Sequence, residues 1–469
     1  MQPENLKLGG GPNQTLLHPV VLAALVLAIL LIFLLRRKNV IVPVLCMTLL
    51  VPLGQQFVLG GLHMFVLRII ILAALIRVLL SRKERPLFAG GFNTLDKVFV
   101  CWTFVHVVTF LVLFSFQMDA VANRIGFVWN ALGGYFLLRF LIRERGDIER
   151  VVKTLAFVAI VVAASMANEH LRMQNVFGIL GGVPRVPVVR DGHIRAQGPF
   201  AHPLLAGTFG ATIFPLFFLL WRSGKAKLTA GIGMLSATAI ATMTGSSTPL
   251  VAYAAGIYAI CMWPFRMNMR LIRWGIVVGL VSLQLVMKAP VWFVLTHIKI
   301  VDASSGYHRA MLIDQFVRNF RDWWLVGTNG NGNWGWDMWD TANQYVQEGE
   351  SAGLAAFVCF LALISICFSR IGRTVKALRD DRKEQWFYWL LGATLFAHVT
   401  GFFGIAYFDQ SQIGWYALLA VIAAATAAAV AQPEKGTSIE PTALFANRAP
   451  LFHPDSAKPA FTTRTPIRR

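Results

Sequence analysis

The residues best equipped for chemistry gather in two hydrophilic stretches, about 169–202 and 291–351. The first carries Arg172, Arg185, Arg190 and Arg195; the second carries Lys299, Arg309, Arg318 and Arg321. Arginine offers a planar fork that matches phosphate oxygens two at a time, and it stays charged at any working pH. Arg190, Arg195, Arg309 and Arg318 are therefore candidates for an anion site. Ordinary surface charge on long loops is the plainer alternative. Proton transfer needs other groups. His202 closes the first stretch, and Asp340, Glu348 and Glu350 close the second.

Between Arg318 and Asp340 runs Gly327-Thr-Asn-Gly-Asn-Gly-Asn-Trp-Gly-Trp-Asp-Met-Trp. Indole faces stack on pyranose rings and Asn amides bond hydroxyls, so Trp334 and Trp336 are candidate glycan contacts. Anchoring at a membrane boundary is the competing use of such tryptophans. No Gly-Lys-Ser/Thr follows, so the run is not a nucleotide-binding loop. No metal or cofactor is expected. The five cysteines, Cys46, Cys101, Cys261, Cys359 and Cys367, all lie in apolar stretches without metal-type spacing.

The segments that carry these loops are apolar. The chain has 469 residues, 56% hydrophobic and only 14% charged, against about 25% charged in a soluble domain. Apolar runs of roughly 17–25 residues recur, the length that crosses a bilayer as a helix. They lie near 19–35, 40–54, 58–80, 94–115, 122–141, 152–168, 203–221, 228–243, 248–265, 273–290, 352–369, 386–403 and 412–431. The expected fold is an all-α polytopic bundle of about 12–13 spans over residues 1–431. The tail, 432–469, reads as a disordered basic segment in the cytoplasm.

The net charge of +20 sits beside the spans rather than in a nucleic-acid patch. Arg36-Arg37-Lys38, Arg82, Lys83, Arg85, Arg143, Arg145, Arg150, Arg222, Lys225, Lys227 and the basic linker 370–385 fall on alternate connections. The short connections near 54–57, 116–121, 244–248 and 404–411 hold no Lys or Arg. Positive-inside logic then puts the C-terminus in the cytoplasm, and the N-terminus and both long loops outside. Within the second loop, Tyr307 to Trp324 is expected to form an amphipathic helix in the membrane interface. Its apolar face would hold Tyr307, Met311, Ile313, Phe316, Val317, Phe320 and Trp324. His202-Pro203 opens a span, because proline suits a first helical turn.

Two stretches resemble the O-antigen ligase and polymerase superfamily. Arg195–Gly210 is similar to its Arg-x-x-Gly-x-Phe-x-His-Pro segment. Gly306–Gly353 is similar to its Gly-Arg…Trp…Gly-x-Gly…His-Asn-x-Tyr…Glu…Gly segment, with Arg309, Trp323, Gly327, Asn343, Tyr345 and Gly353 at matching positions. The resemblance covers roughly 150–370. It implies a metal-independent glycosyltransferase on the periplasmic face of a bacterial inner membrane, taking lipid-diphosphate-linked glycans, with membrane lipid and polysaccharide assembly proteins as partners. Arg195, Arg309, Arg190 and Arg318 would hold the diphosphate. Asn343, Tyr345, Trp334 and Trp336 would face glycan, and Glu350, His202 or Asp340 would serve catalysis. Two positions depart from the pattern: Ala342 stands where the family has its catalytic histidine, and Ser246-Ser247 where it has Ser-Arg.

Two other functions compete. Arg68, His106 and His398 lie inside apolar spans, where ionisable groups often mark a transport path; a transporter or flippase follows. Ala342 also admits a non-catalytic partner in envelope polysaccharide assembly.

Overall fold

Each apolar run named above contains helix. The computed structural model describes residues 15–59, 62–80, 87–297, 306–408 and 410–427. Lys299, the basic group 82–85 and the tail 432–469 lie outside them. Among the described residues the chain is all-α, with sixteen α-helices and two short hairpins. Five helical stretches are long and apolar enough to cross a membrane: Thr94–Leu113, Arg145–Arg172, Pro203–Ser223, Trp263–Val286 and Gln344–Ala377.

In chain order the first helices are α1 (Pro19–Leu34), α2 (Ile41–Leu50), α3 (Val66–Leu80), α4 (Thr94–Leu113), α5 (Met118–Val128), α6 (Gly134–Leu141) and α7 (Arg145–Arg172). Then come α8 (Pro203–Ser223), α9 (Lys227–Thr242), α10 (Ser247–Cys261) and α11 (Met269–Val286). The second long loop holds α12 (Gly306–Arg318) and α13 (Phe320–Trp323), and α14 (Gln344–Ala377), α15 (Arg382–Gly401) and α16 (Gln410–Ala425) complete the bundle. The helices start where their caps dictate. Asn93 accepts from the Leu95 and Asp96 amides while Asp96 accepts from the Asn93 amide, a reciprocal cap.

Small residues let the central helices approach closely. A Cβ on Gly210 would meet Ala237 O and Ile240 at 2.8 Å, and one on Gly207 would meet Pro249 at 2.5 Å. Such contact replaces the hydrophobic drive that lipid removes. Charges at the basic end are paired. Arg139 Nε donates to Asp96 at 2.9 Å and Tyr135 OH donates to the same carboxylate at 2.7 Å, with Arg139 and Asp96 both fully buried. Asp147 takes Arg37 at 3.2 Å and Arg150 at 2.7 Å. Breaking one such pair would strand a buried charge.

Three expectations change. The run 58–80 opens as a hairpin, β1 (Gln56–Leu59) against β2 (Leu62–Phe65), before α3 begins. Gln56 Oε1 and His63 Nδ1, 3.0 Å apart, bond within it, and a short apolar run does not by itself separate strand from helix. The amphipathic helix breaks at Asn319, and its buried side differs from the expected face. Phe316 is buried together with Leu312 and Trp323, while Tyr307, Val317, Phe320 and Trp324 are exposed. Finally, α14 is two helices joined at Ala352 and Gly353. The φ/ψ of Gly353, 77° and −176°, is one that only glycine adopts readily. By contrast α11 stands apart, with no buried residue.

Candidate functional site

The first loop is a hairpin clamped onto helix ends. Strands β3 (Val188–Arg190) and β4 (His193–Arg195) join through Asp191 and Gly192, both at positive φ, the pair that a two-residue turn demands. Beyond Arg195 the backbone is held at several points. Ala196 N donates to Met243 O at 3.2 Å. Gln197 N and Gly198 N donate to the Glu169 carboxylate at 3.0 and 2.7 Å. Asn175 Nδ2 donates to Gly198 O at 2.8 Å. Arg195 Nη2 thereby reaches Ser246 Oγ at 2.9 Å, at the start of α10.

His202 caps α8. Its Nδ1 accepts the Leu204 amide at 3.1 Å. Burial, and then the Arg195 charge, lower its pKa to about 4. The ring is therefore neutral at pH 7 and its proton sits on Nε2. His202 is placed to donate a hydrogen bond; the lone pair a base would use is already engaged.

Arg309 comes from α12, which a small separate core supports. Leu312, Phe316, Trp323, Trp334, Met338 and Val346 form it. Phe316 and Trp323 stack at 3.9 Å, and a Cβ on Gly349 would lie 2.5 Å from the Phe316 ring. This unit is keyed into the break in α14. Leu354 N donates to Trp324 O and Thr328 N to Glu350 O, both at 2.8 Å. A side chain on Gly327 would strike Glu350 O at 2.4 Å, and one on Gly353 would strike Leu325 O at 2.5 Å. So these two glycines exist to let backbone touch backbone.

The two loops converge. Burial lowers the Arg309 pKa to about 10, with Asp340 opposing and the charges of Arg190 and Arg195 adding to the fall. The charges of the first loop are thus felt at Arg309. Arg195 is itself lowered, by burial and then by Arg190. Arg195 Nε and Arg309 Nε are buried without a hydrogen-bond partner among the described residues, an arrangement that costs free energy unless an anion supplies the acceptor. Asp340 lies beside Arg309. Burial raises its pKa, while His308 and Arg309 pull it back. His308 Nε2 also lies 3.1 Å from Asp340 O.

Other candidates fall elsewhere. Arg318, itself exposed, is drawn into an i,i+4 pair with the buried Asp314 at 2.6 Å. Glu350 accepts from Thr341 Oγ1 at 2.7 Å and Asn331 Nδ2 at 3.2 Å. Asn343 is buried as the cap of α14, accepting from the Tyr345 and Val346 amides, and Tyr345 OH donates to Val399 O at 2.9 Å. Both are occupied in joining α14 to α15. Trp334 is buried in the small core, whereas Trp336 is 91% exposed. Among the described residues, no three His, Cys, Asp or Glu side chains are grouped to hold a metal.

No family model matches this chain, and no curated protein or solved structure is similar to it at a significant level. The site therefore rests on its own geometry. The span-embedded groups have partners within the fold: Arg68 Nη1 donates to His63 O at 2.6 Å, although its Nε is buried and, among the described residues, unpartnered, and His398 Nδ1 lies 2.8 Å from Tyr407 OH. His106 Nε2 is 2.9 Å from Glu348. The partnerships of Glu169 and Glu348 escaped sequence reasoning. The only signal was an acidic residue near the end of an apolar run, and such a residue does not name its partner.

Proposed function

We propose that this chain is a multi-pass membrane glycosyltransferase that transfers or polymerises lipid-diphosphate-linked glycans on the outer face of a bacterial cytoplasmic membrane. The observation that carries the reading is a pair of guanidinium groups, Arg195 on the first loop and Arg309 on the second, each with an Nε that is buried and, among the described residues, unpartnered. A diphosphate offers acceptors in the number and planarity that such forks match. A site of this kind accelerates transfer chiefly by stabilising charge as it develops on the departing lipid diphosphate.

The two departures from the family pattern have local substitutes in this reading. Ser247, at the place of the family's arginine, brings no charge; Arg190 of the hairpin, whose Nε lies 3.6 Å from Asp191, is the further positive group. Asp340 lies two positions before Ala342 and has the raised proton affinity that a general base needs. It takes the proton of the acceptor hydroxyl as the acceptor oxygen bonds to the anomeric carbon. The bond from that carbon to the diphosphate breaks, and the lipid diphosphate leaves with the electron pair. The neutral His202 donates from Nε2.

The test is glycan transfer in membranes carrying variants. Arg309→Ala should cost about 10²–10³-fold, the scale of losing one charge-stabilising donor. Arg318→Ala, already paired with Asp314, should stay near wild type. Normal transfer by Arg309→Ala would remove this assignment.

A further inference from the structure

Among the described residues, the cluster around Glu348 is a buried charged group that the diphosphate site does not use and that opens on empty space. Glu348 is 2% exposed. Its carboxylate accepts from Trp102 Nε1 at 2.8 Å and Gln344 Nε2 at 2.7 Å, and it lies 2.9 Å from His106 Nε2. The cluster forms one wall of a cavity of about 310 Å³. A single water needs only about 10–15 Å³ on that scale, and small-molecule sites begin near 300 Å³.

The wall has a regular origin. Gln344, Gln347, Glu348 and Ser351 all line the cavity, and their spacing puts them on one face of the first segment of α14. Glu350 is on another face, bonded to Asn331 and Thr341 of the arginine-bearing loop. One short helix therefore stands between the two regions. Aromatic rings make up much of the rest of the lining, with Trp102, Phe127, Trp415 and Tyr416. Gln347 has no side-chain hydrogen bond among the described residues, so its amide can still donate and accept. Arg124, also on the lining, stacks on Phe110 at 3.7 Å and bonds Asn123 Oδ1, with no acidic partner among the described residues.

A pinned carboxylate is costly inside an apolar bundle, and packing alone would be served by an apolar side chain. The Gln347 amide, a fixed carboxylate and an arginine beside flat aromatic rings are the chemistry that recognises a hydroxylated ring: edges bond the hydroxyls and rings cover the C–H face. We infer that this cavity is a saccharide-binding site, seating the sugar that receives the transferred glycan. The assignment to the acceptor rests on the glycan-transfer reading above; the saccharide site itself does not.

The experiment uses the full chain in lipid nanodiscs. Saturation-transfer NMR is recorded with the methyl glycosides of glucose, galactose, N-acetylglucosamine and glucuronate. Binding of undecaprenyl diphosphate is measured on the same samples. Wild type should show transfer to at least one glycoside. Gln347→Trp, which adds bulk to the cavity wall and leaves the residues of the Glu348 cluster unchanged, should reduce that signal by about fivefold or more, and Glu348→Gln should weaken it, while both still bind undecaprenyl diphosphate. No transfer to any of the four, or equal transfer in both variants, overturns the inference. Loss of undecaprenyl diphosphate binding in wild type with glycoside transfer intact would instead remove the donor reading and leave the saccharide site standing.

Discussion

At the scale of single residues, the proposed chemistry rests on Arg309 and Asp340. They are neighbours in space because α12 and the approach to α14 share a small core, and each modifies the other. Asp340 is raised above the ordinary carboxylate range by burial first. The reactive form is the ionised one, so a raised pKa means that acidification removes it sooner. The acid limb of the pH–rate profile is thus expected above the position of an ordinary aspartate near 3.8, and Asp340→Asn should abolish that limb along with most of the rate. A profile flat through the carboxylate range would leave Asp340 without its role. The arginines were legible as candidates because charge on the outer side runs against the positive-inside pattern. Which of them meet was not legible. Arg318 carries the same chemistry as Arg309 but pairs with Asp314 four residues away, and that choice depends on which face α12 buries. Trp334 was read as a sugar contact for its type, yet its neighbours Phe316 and Trp323 bury it.

At the scale of elements, the broken α14 is the feature that organises the site. Its first segment, capped by Asn343, offers Glu350 to one side and Gln344, Gln347 and Glu348 to the other. Its break accepts the 324–328 backbone, which seats α12 and with it Arg309. Gly353→Ala would force a side chain into a positive-φ conformation against Leu325 O. A loss of about 1–3 kcal/mol is expected from the backbone strain alone, visible as a lower melting temperature in detergent. An unchanged melting temperature would mean that the key is not rigid. Helix existence was readable from apolar run length, whereas the break was not: the apolar run starts at 352, nothing in it marks 344–351 as a helix of its own, and glycine at such a boundary is ambiguous without its contact. The hairpin ahead of α3 escaped for the same reason.

At the scale of the whole molecule, glycan transfer outside the cell requires both long loops on one side of the membrane and the basic connections on the other. Residues exposed in the chain make this testable by cysteine labelling in a background lacking the native cysteines. Trp336→Cys should react with an impermeant reagent added outside intact cells, and Lys225→Cys, exposed at the basic end, only after permeabilisation. The reverse pattern would invert the topology and with it the compartment of the reaction. The proposed transfer depends on something narrower: that arginines from the two loops jointly hold a lipid diphosphate. The decisive measurement is undecaprenyl diphosphate affinity of the purified chain in nanodiscs, for wild type, Arg195→Ala, Arg309→Ala and Arg318→Ala. Joint binding predicts weakening by about tenfold or more for Arg195→Ala and for Arg309→Ala, in line with losing a charge-assisted pair, and wild-type affinity for Arg318→Ala. Equal affinity across all four chains would contradict it.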